Sequence, residues 1–205
     1  MTNQDFTTTF SVEQSPGKVF NAITNVRGWW SEEIEGATDK LGAEFIYHYE
    51  DVHRCKMKIT EFVPGERIVW LVLDNYFNFT EDKTEWKDTQ VIFEVSRKGD
   101  KSEIRFTHSG LVPEYECFHV CSNAWGSYIN GSLRSLITTA KGRPNQKGKG
   151  DGKKDSLRLK DQLRRFCSHA QRSVLNAFDR TVGRSGRPLC GPMRPKRTQL
   201  RLSAS

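Results

Sequence analysis

The sequence predicts an α+β domain in which a curved antiparallel sheet is covered by one long C-terminal helix. Two observations support this prediction. Six strand-like segments with alternating apolar and polar residues are joined by short links, as in consecutive antiparallel hairpins. The longest helical pattern of the chain, residues 113–141, follows the last of them. A sheet with one apolar face needs such a helix to cover it.

The predicted C-terminal helix has one apolar face, because its large apolar residues recur at every third or fourth position. These residues are Phe118, Cys121, Trp125, Ile129, Leu133 and Leu136. Pro113 suits the first turn of a helix. Gly126 and Gly131 lie in the middle, where each costs about 1 kcal/mol relative to alanine. The glycines indicate either tight packing of the helix on the sheet or room for a ligand.

The N-terminal part of the chain predicts one strand and two short helical segments. Residues 5–14 alternate as a half-buried strand does. Ser15 and Pro16 then suit an N-cap and a first turn, and the helix that they begin ends near Asn25. A second short helix or turn follows at residues 27–30. It contains two adjacent tryptophans, which cannot share one helix face, so we expect at least one of them to reach a second environment.

The remaining strands are predicted from alternating or strongly apolar segments bounded by turn residues. They are residues 44–49, 53–63, 66–79, 89–97 and 102–108.

Charge divides the chain into two different parts. Residues 1–141 contain 15 Lys and Arg against 21 Asp and Glu, whereas residues 142–205 contain 17 against 4. We therefore predict a folded domain over residues 1–145 and a basic tail over residues 146–205. The tail begins as a Gly/Lys linker, has the pattern of a basic amphipathic helix at residues 156–178, and is otherwise predicted to be disordered.

The 17 basic residues of positions 142–205 could bind nucleic acid or an anionic membrane. A solvated, disordered tail is the simpler interpretation and the one we favour. The tail is either a genuine extension or the product of a shifted reading frame, and the sequence leaves both open.

The sequence predicts a cytoplasmic protein. The N-terminus has no basic region followed by an apolar run, and no stretch approaches the ~20 apolar residues of a membrane span. The five cysteines are odd in number and irregularly spaced, which favours reduced thiols.

Three separated stretches resemble one known family. They are SPGKVFNAITNVRGWW at residues 15–30, FTHSGLVPEYECF at 106–118 and NAWGSYINGSLRSLITTAKGRP at 123–144. Together they resemble the bacterial proteins related to the C-terminal domain of the Hsp90 ATPase activator, which belong to the START/Bet v 1-like (SRPBCC) superfamily. The resemblance covers roughly residues 5–145.

The resemblance implies a helix-grip fold, in which a sheet of six or seven strands wraps round the C-terminal helix and leaves a cavity between them. The sequence pattern itself supplies six strands. Ala140 stands where the family pattern has glycine, and we expect Gly142 to cap the helix instead.

The histidines and cysteines do not predict a metal or catalytic centre. Cys117 and Cys121 share a helix face, but His119 points away from it, so the three cannot surround one ion. We therefore expect buried thiols, no metal and no cofactor. His48 and His53 flank a turn and are expected to be exposed. No histidine has a Ser or Cys partner in sequence, so no catalytic residue is assigned.

His108, at the end of the last predicted strand, either lies at the mouth of the cavity as a proton donor or acceptor, or makes a local hydrogen bond.

The aromatic residues are the most informative set for function. Most of them are explained by core filling, but a ligand site is also mainly apolar with a few convergent polar groups. On the family fold we expect the ligand-binding residues to be Trp29, Trp70, His108, Trp125 and Tyr128.

Three functions remain open at this point. The first is a module that binds a small hydrophobic molecule. The second is a co-chaperone-like partner that activates an Hsp90-type ATPase. The third is an enzyme of the cyclase or hydrolase kind that uses the same cavity. Binding without catalysis is the function we favour from the sequence, since a fold does not by itself determine activity.

Overall fold

A computed structural model describes residues 4–148. In this part of the chain seven strands form one antiparallel sheet in the order β1-β7-β6-β5-β4-β3-β2. The C-terminal helix packs on the sheet, so the predicted α+β helix-grip architecture is confirmed. The predicted tail helix at residues 156–178, and the rest of the tail from Lys149 onward, lie outside the described residues.

The strands agree with the sequence prediction except for one addition. They are β1 Phe6–Val12, β2 Glu35–Gly36, β3 Glu44–Tyr49, β4 His53–Val63, β5 Arg67–Phe77, β6 Gln90–Lys98 and β7 Lys101–Ser109. The addition is β2, which pairs with β3 at the edge of the sheet. Two residues are too few to show an alternating pattern. Two register shifts in the β4–β5 pair, between Lys56 and Met57 and between Ile59 and Glu61, bend the sheet as bulges do.

Two short helical elements follow β1, as predicted. The helix α1 spans Pro16–Thr24, and a single 3₁₀ turn spans Val26–Gly28. The adjacent tryptophans do not reach two different environments, contrary to the prediction, since both belong to the same buried core. Trp29 and Trp30 are both buried and lie with nearly parallel rings, because the chain leaves the 3₁₀ turn at Trp29 and no longer follows helical geometry.

The C-terminal helix consists of three consecutive segments. They are α2 Phe118–Gly126, a π-helical segment Ser127–Leu133 and α3 Arg134–Thr139. The predicted start at Pro113 is wrong, since turns occupy the residues before Phe118. The backbone N–H groups of Glu116 and Cys117 donate to the carboxylate of Glu85 at 2.7 and 3.0 Å. This carboxylate therefore satisfies free N–H groups next to the helix start.

The expected cap at Gly142 is also wrong. Ala140 itself adopts the left-handed conformation, with φ of 60°, and its N–H donates to the Leu136 carbonyl. Gly142 has a different role, because an added Cβ would overlap the Gly28 carbonyl oxygen. The segment after the helix thus passes directly over the 3₁₀ turn.

The apolar face predicted for the helix is confirmed. Its large residues are buried in the core or packed against it. The two mid-helix glycines do not pack tightly on the sheet. A Cβ at Gly126 would meet nothing within 4 Å, and one at Gly131 would meet only the Arg143 guanidinium at 3.7 Å. Gly131 therefore faces the returning chain.

Within residues 4–148, every helix is too short or too polar to cross a membrane.

Candidate functional site

The five residues predicted to bind a ligand lie together in one aromatic cluster between the sheet and the C-terminal helix. Four of them are fully buried and Tyr128 is half-buried. We use the name aromatic cluster for the group of rings that contact one another here. Its members are Trp29, Trp30, Tyr47, Trp70, Trp86, Phe93, Phe106, His108, Trp125 and Tyr128, and further rings such as Phe45 and His53 contact them.

Trp29 and Trp70 occupy the centre of the cluster and differ in their hydrogen bonding. Their rings are stacked with centroids 6.4 Å apart, and both side chains are fully buried. The Trp29 Nε1–H donates to the Ile23 carbonyl at 3.1 Å. The Trp70 Nε1–H has no acceptor among the described residues. A buried donor without a partner is uncommon and costs about 1–3 kcal/mol, so it needs a physical explanation.

Trp86 belongs to the cluster but was not identified from the sequence. It lies in the polar loop between β5 and β6 and carries no strand or helix pattern. Its ring stacks on Trp125 at 5.8 Å, and its Nε1–H donates to the Cys117 sulfur at 3.3 Å. Its neighbour Glu85 is the residue that holds the start of the C-terminal helix. A lone tryptophan within an acidic loop was the one signal available in the sequence.

His108 lies inside the cluster and not at a cavity mouth. The Trp125 Nε1–H donates to His108 Nδ1 at 3.0 Å. Because an indole nitrogen can only donate, Nδ1 accepts and the proton resides on Nε2. Nε2 then donates to the Thr89 hydroxyl at 2.9 Å, which in turn donates to the Trp86 carbonyl.

Both ring nitrogens of His108 are therefore occupied within the protein. Burial lowers the pKa of His108 to about 3, so the ring is neutral at physiological pH. This arrangement fixes one tautomer and leaves no free nitrogen for acid–base catalysis.

His53 is a second histidine at this end of the cluster, and its predicted exposure is wrong. Its ring contacts Trp86 at 4.8 Å and Phe77 at 4.3 Å. Its Nε2–H donates to the Asn75 side-chain oxygen at 2.9 Å. Burial lowers the pKa of His53 to about 3. His53 points towards the core because it lies two residues before Cys55 and four before Met57 on β4. Alternate residues of a strand share one face, and these two are buried. His48 is exposed, as predicted.

Another part of the cluster carries two tyrosine hydroxyls, and its Tyr47 ring lies 5.1 Å from the ring of His53. Tyr47 stacks on Trp30 with centroids 4.3 Å apart, and Tyr128 packs against Trp125. The side-chain N–H groups of Asn145 donate to the Tyr128 hydroxyl at 2.8 Å and to the Tyr47 hydroxyl at 3.2 Å. Burial raises the pKa of both tyrosines, so both stay neutral. Asn145 was not identified as a site residue from the sequence.

The cysteines at the start of the helix pack in the core. Cys117 and Cys121 are buried, and His119 is exposed. Burial raises the pKa of the Cys121 thiol above its usual value. In residues 4–148, no three His, Cys, Asp or Glu side chains form a group suited to a metal ion.

Two open pockets lie away from the predicted site. One, of about 450 Å³, lies beside α1 and has polar walls that include Asn21, Arg27 and Asp39. The other, of about 340 Å³, lies at the β3–β4 turn, where His53 and Tyr76 line it. His53, whose ring contacts Trp86 of the cluster, also lines the second pocket.

The sheet, the gripping helix and the aromatic cluster between them define a helix-grip protein of the START/Bet v 1-like class. A family model confirms the resemblance seen in the sequence. Residues 13–138 match the family described as activator of Hsp90 ATPase homolog 1-like protein. The chain belongs to this family.

Solved structures with the same fold are distant in sequence. The solution structure of the Aha1 dimer from Colwellia psychrerythraea is 20% identical, with 68% of this chain and 99% of that chain covered and a TM-score of 0.56. The Mll3558 protein from Rhizobium loti is 17% identical, with 66% and 96% covered and a TM-score of 0.52.

DynU16, a putative protein in the dynemicin biosynthetic locus, is 15% identical, with 69% and 50% covered and a TM-score of 0.51. At these identities the similarity establishes the fold alone. No curated protein matches the chain.

Proposed function

We propose that the folded domain binds a small hydrophobic molecule between the sheet and the C-terminal helix. The binding residues in this proposal are those expected from the sequence: Trp29, Trp70, His108, Trp125 and Tyr128. The observation that carries the proposal is the unpaired Nε1–H of Trp70 in the centre of the aromatic cluster. An acceptor atom on an otherwise apolar ligand would satisfy this donor.

The chemistry of the cluster supports a neutral ligand. The two histidines and two tyrosines at its ends are uncharged near neutral pH, since burial shifts each pKa away from 7. A charged ligand would lose its hydration without gaining a counter-charge, which is costly. An apolar ligand with one or two hydrogen-bonding atoms fits these surroundings better.

The π-helical segment lies beside the cluster and supports the same proposal. It includes Tyr128 and Ile129, which face the cluster and the core. π-helical turns are rare and frequently occur at functional sites. The segment thus places Tyr128 in an irregular part of the helix next to the cluster.

Trp70→Phe tests the proposal, with Trp86→Phe as its matched control, since Trp86 is not among the proposed binding residues and its N–H already has an acceptor. Phenylalanine keeps a ring at the position and removes the N–H. In Trp70→Phe we expect the ligand recovered in solvent extracts of the purified full-length protein, measured by mass spectrometry, to fall roughly fivefold. This is the effect of about 1 kcal/mol from one lost hydrogen bond.

The control should behave in the opposite way. Trp86→Phe breaks the bond to the Cys117 sulfur, so it should lower stability while leaving ligand recovery within twofold. If the wild-type extract contains no ligand and an apolar dye finds no site, the proposal is wrong.

The family description favours a second function, the activation of an Hsp90-type ATPase. The assay is ATP turnover by a purified Hsp90-type chaperone with and without this protein. Unchanged turnover at saturating protein would exclude the second function. If turnover rises equally with wild-type and Trp70→Phe protein, activation does not depend on the proposed ligand site. A cytoplasmic location is part of both proposals.

A further inference from the structure

The segment that follows the C-terminal helix returns across the domain and contacts the aromatic cluster through one residue. We call residues 142–148 the strap. The Asn145 N–H donates to the Trp30 carbonyl at 2.9 Å, and the Glu32 N–H donates to the Asn145 carbonyl at 2.9 Å. A short parallel bridge between Ser31 and Asn145 results. The Asn145 side chain is thereby aimed at the two tyrosine hydroxyls of the cluster.

Hydrogen bonds, and not apolar contacts, hold the strap. Its sequence, GRPNQKG, contains no large apolar residue, and none of its residues is fully buried. Beyond Asn145, the Arg143 N–H donates to Ser132, and the Lys147 and Gly148 N–H groups donate to Glu32 and Glu33. A segment with little buried apolar area and solvent-accessible hydrogen bonds opens at low free energy.

The Asn145 carboxamide makes hydrogen bonds of the kind that the polar group of the proposed ligand would make. It donates to the Tyr128 hydroxyl at 2.8 Å and to the Tyr47 hydroxyl at 3.2 Å, next to the ring of Trp30. A molecule that reproduced these two bonds would place a donor next to the same two oxygens. Its apolar part would have to be flat in order to lie against the stacked rings of Tyr47 and Trp30.

We propose that the Asn145 carboxamide occupies the polar end of the ligand site and is displaced by a flat aromatic ligand that carries an amide or hydroxyl donor. The proposal rests on the proposed ligand-binding function and adds the ligand's chemical class and the route by which it enters. Displacement requires only that the strap lifts, since the sheet and the helix keep their contacts.

Affinity measurements on the full-length protein test the competition. The probes are 2-naphthamide, which carries the same carboxamide as Asn145, and naphthalene, which has no donor. We expect Asn145→Ala to bind 2-naphthamide five- to tenfold more tightly than wild type in equilibrium dialysis, because the internal competitor is removed. Its affinity for naphthalene should change less than twofold.

Asn130→Ala is the matched control. Asn130 lies in the π-helical segment, close to Tyr128. The substitution removes its side-chain hydrogen bond to Thr8, at 3.0 Å, and leaves the strap unchanged. Both probe affinities should remain at wild-type values. If Asn145→Ala binds 2-naphthamide no more tightly than wild type, displacement is wrong while the site itself stands. If neither probe binds any variant, the proposed site is wrong as well.

Amide hydrogen exchange measures the strap without depending on affinity. In the absence of probe, Asn145→Ala should raise exchange at residues 32 and 145 about tenfold and leave β4 and β5 unchanged. Saturating 2-naphthamide should produce the same increase in wild-type protein. Unchanged or stronger protection of the strap with 2-naphthamide bound would show that the strap closes over the ligand, which would overturn the proposal.

Discussion

The two ends of the aromatic cluster are closed in different ways. At the His108 end, every polar group is bonded to a neighbour from the sheet, the β5–β6 loop or the helix. The chain Trp125 to His108 to Thr89 to the Trp86 carbonyl contains no solvent-exposed member. At the Tyr128 end, one half-buried side chain from the strap closes the cluster.

This difference predicts that the fold separates stability from access to the proposed site. Breaking the His108 network leaves buried donors unpaired, and water cannot reach them without opening the core. Breaking the Asn145 contacts leaves two hydroxyls that water can reach once the strap lifts. The first end should therefore determine global stability, and the second should determine entry to the cluster.

The strongest test of this comparison is to remove His108, the central residue of the His108 end. His108→Ala leaves the Trp125 N–H and the Thr89 hydroxyl unpaired and creates a cavity, so we expect a loss of about 3–5 kcal/mol of unfolding free energy. Asn145→Ala should cost about 1 kcal/mol or less. Urea denaturation measures both.

His48→Ala controls for loss of a histidine from the sheet, because His48 is exposed on β3. It should change stability by less than about 0.5 kcal/mol. Equal losses from His108→Ala and Asn145→Ala would mean that the two ends are not different in kind.

Acid pH should lower the unfolding free energy through the His108 end of the cluster. The pKa of His108 is lowered to about 3 in the folded protein, against about 6.5 in the unfolded chain. Between these values the unfolded chain binds a proton that the folded protein does not. The unfolding free energy therefore falls as the pH falls below about 6.5, by about 1.4 kcal/mol per pH unit for this group, and levels off towards pH 3.

His53 contributes in the same direction, because its pKa is also lowered to about 3. His108→Gln keeps an acceptor for Trp125 and a donor for Thr89 but cannot titrate. Urea denaturation at pH 6 and pH 4.5 should show that this variant loses about half of the pH dependence of the wild type. An unchanged slope would indicate that His108 is already protonated in the folded state.

The sequence predicted the elements that bury many residues in a regular pattern. Six strands and the apolar face of the C-terminal helix were recognisable because their periods of two and 3.6 residues continue over several repeats. The five proposed ligand residues were brought together as expected, since the family resemblance supplied the arrangement of helix on sheet. Whether they bind a ligand stays a prediction.

The missed features depend on contacts between residues distant in sequence. β2 has two residues, Trp86 lies in a polar loop, and Asn145 follows the last helix, so none of them belongs to a periodic pattern. His53 was predicted to be exposed from its place beside a turn, although its strand parity with Cys55 indicated burial. The start of the helix at Phe118 depends on Glu85, which is more than thirty residues away in the chain.

Gly126 in the helix and Gly142 in the strap differ in how much free space surrounds them. Replacing them should change the unfolding free energy less than the substitutions above. Gly126 is helical, and an added Cβ meets nothing within 4 Å. Gly126→Ala should therefore raise the unfolding free energy by about 0.5–1 kcal/mol, because alanine loses less backbone entropy in a helix.

Gly142→Ala is the opposing control, since its Cβ would overlap the Gly28 carbonyl oxygen under the strap. It should lift the strap and raise amide exchange at Asn145, as Asn145→Ala does, with no gain in thermal stability. If Gly126→Ala destabilises the protein, the space beside Trp125 is not open, and the tight packing first considered for this helix would be correct at Gly126. If Gly126→Ala raises stability and Gly142→Ala frees the strap, the close backbone contact lies between the strap and the 3₁₀ turn and not along the helix.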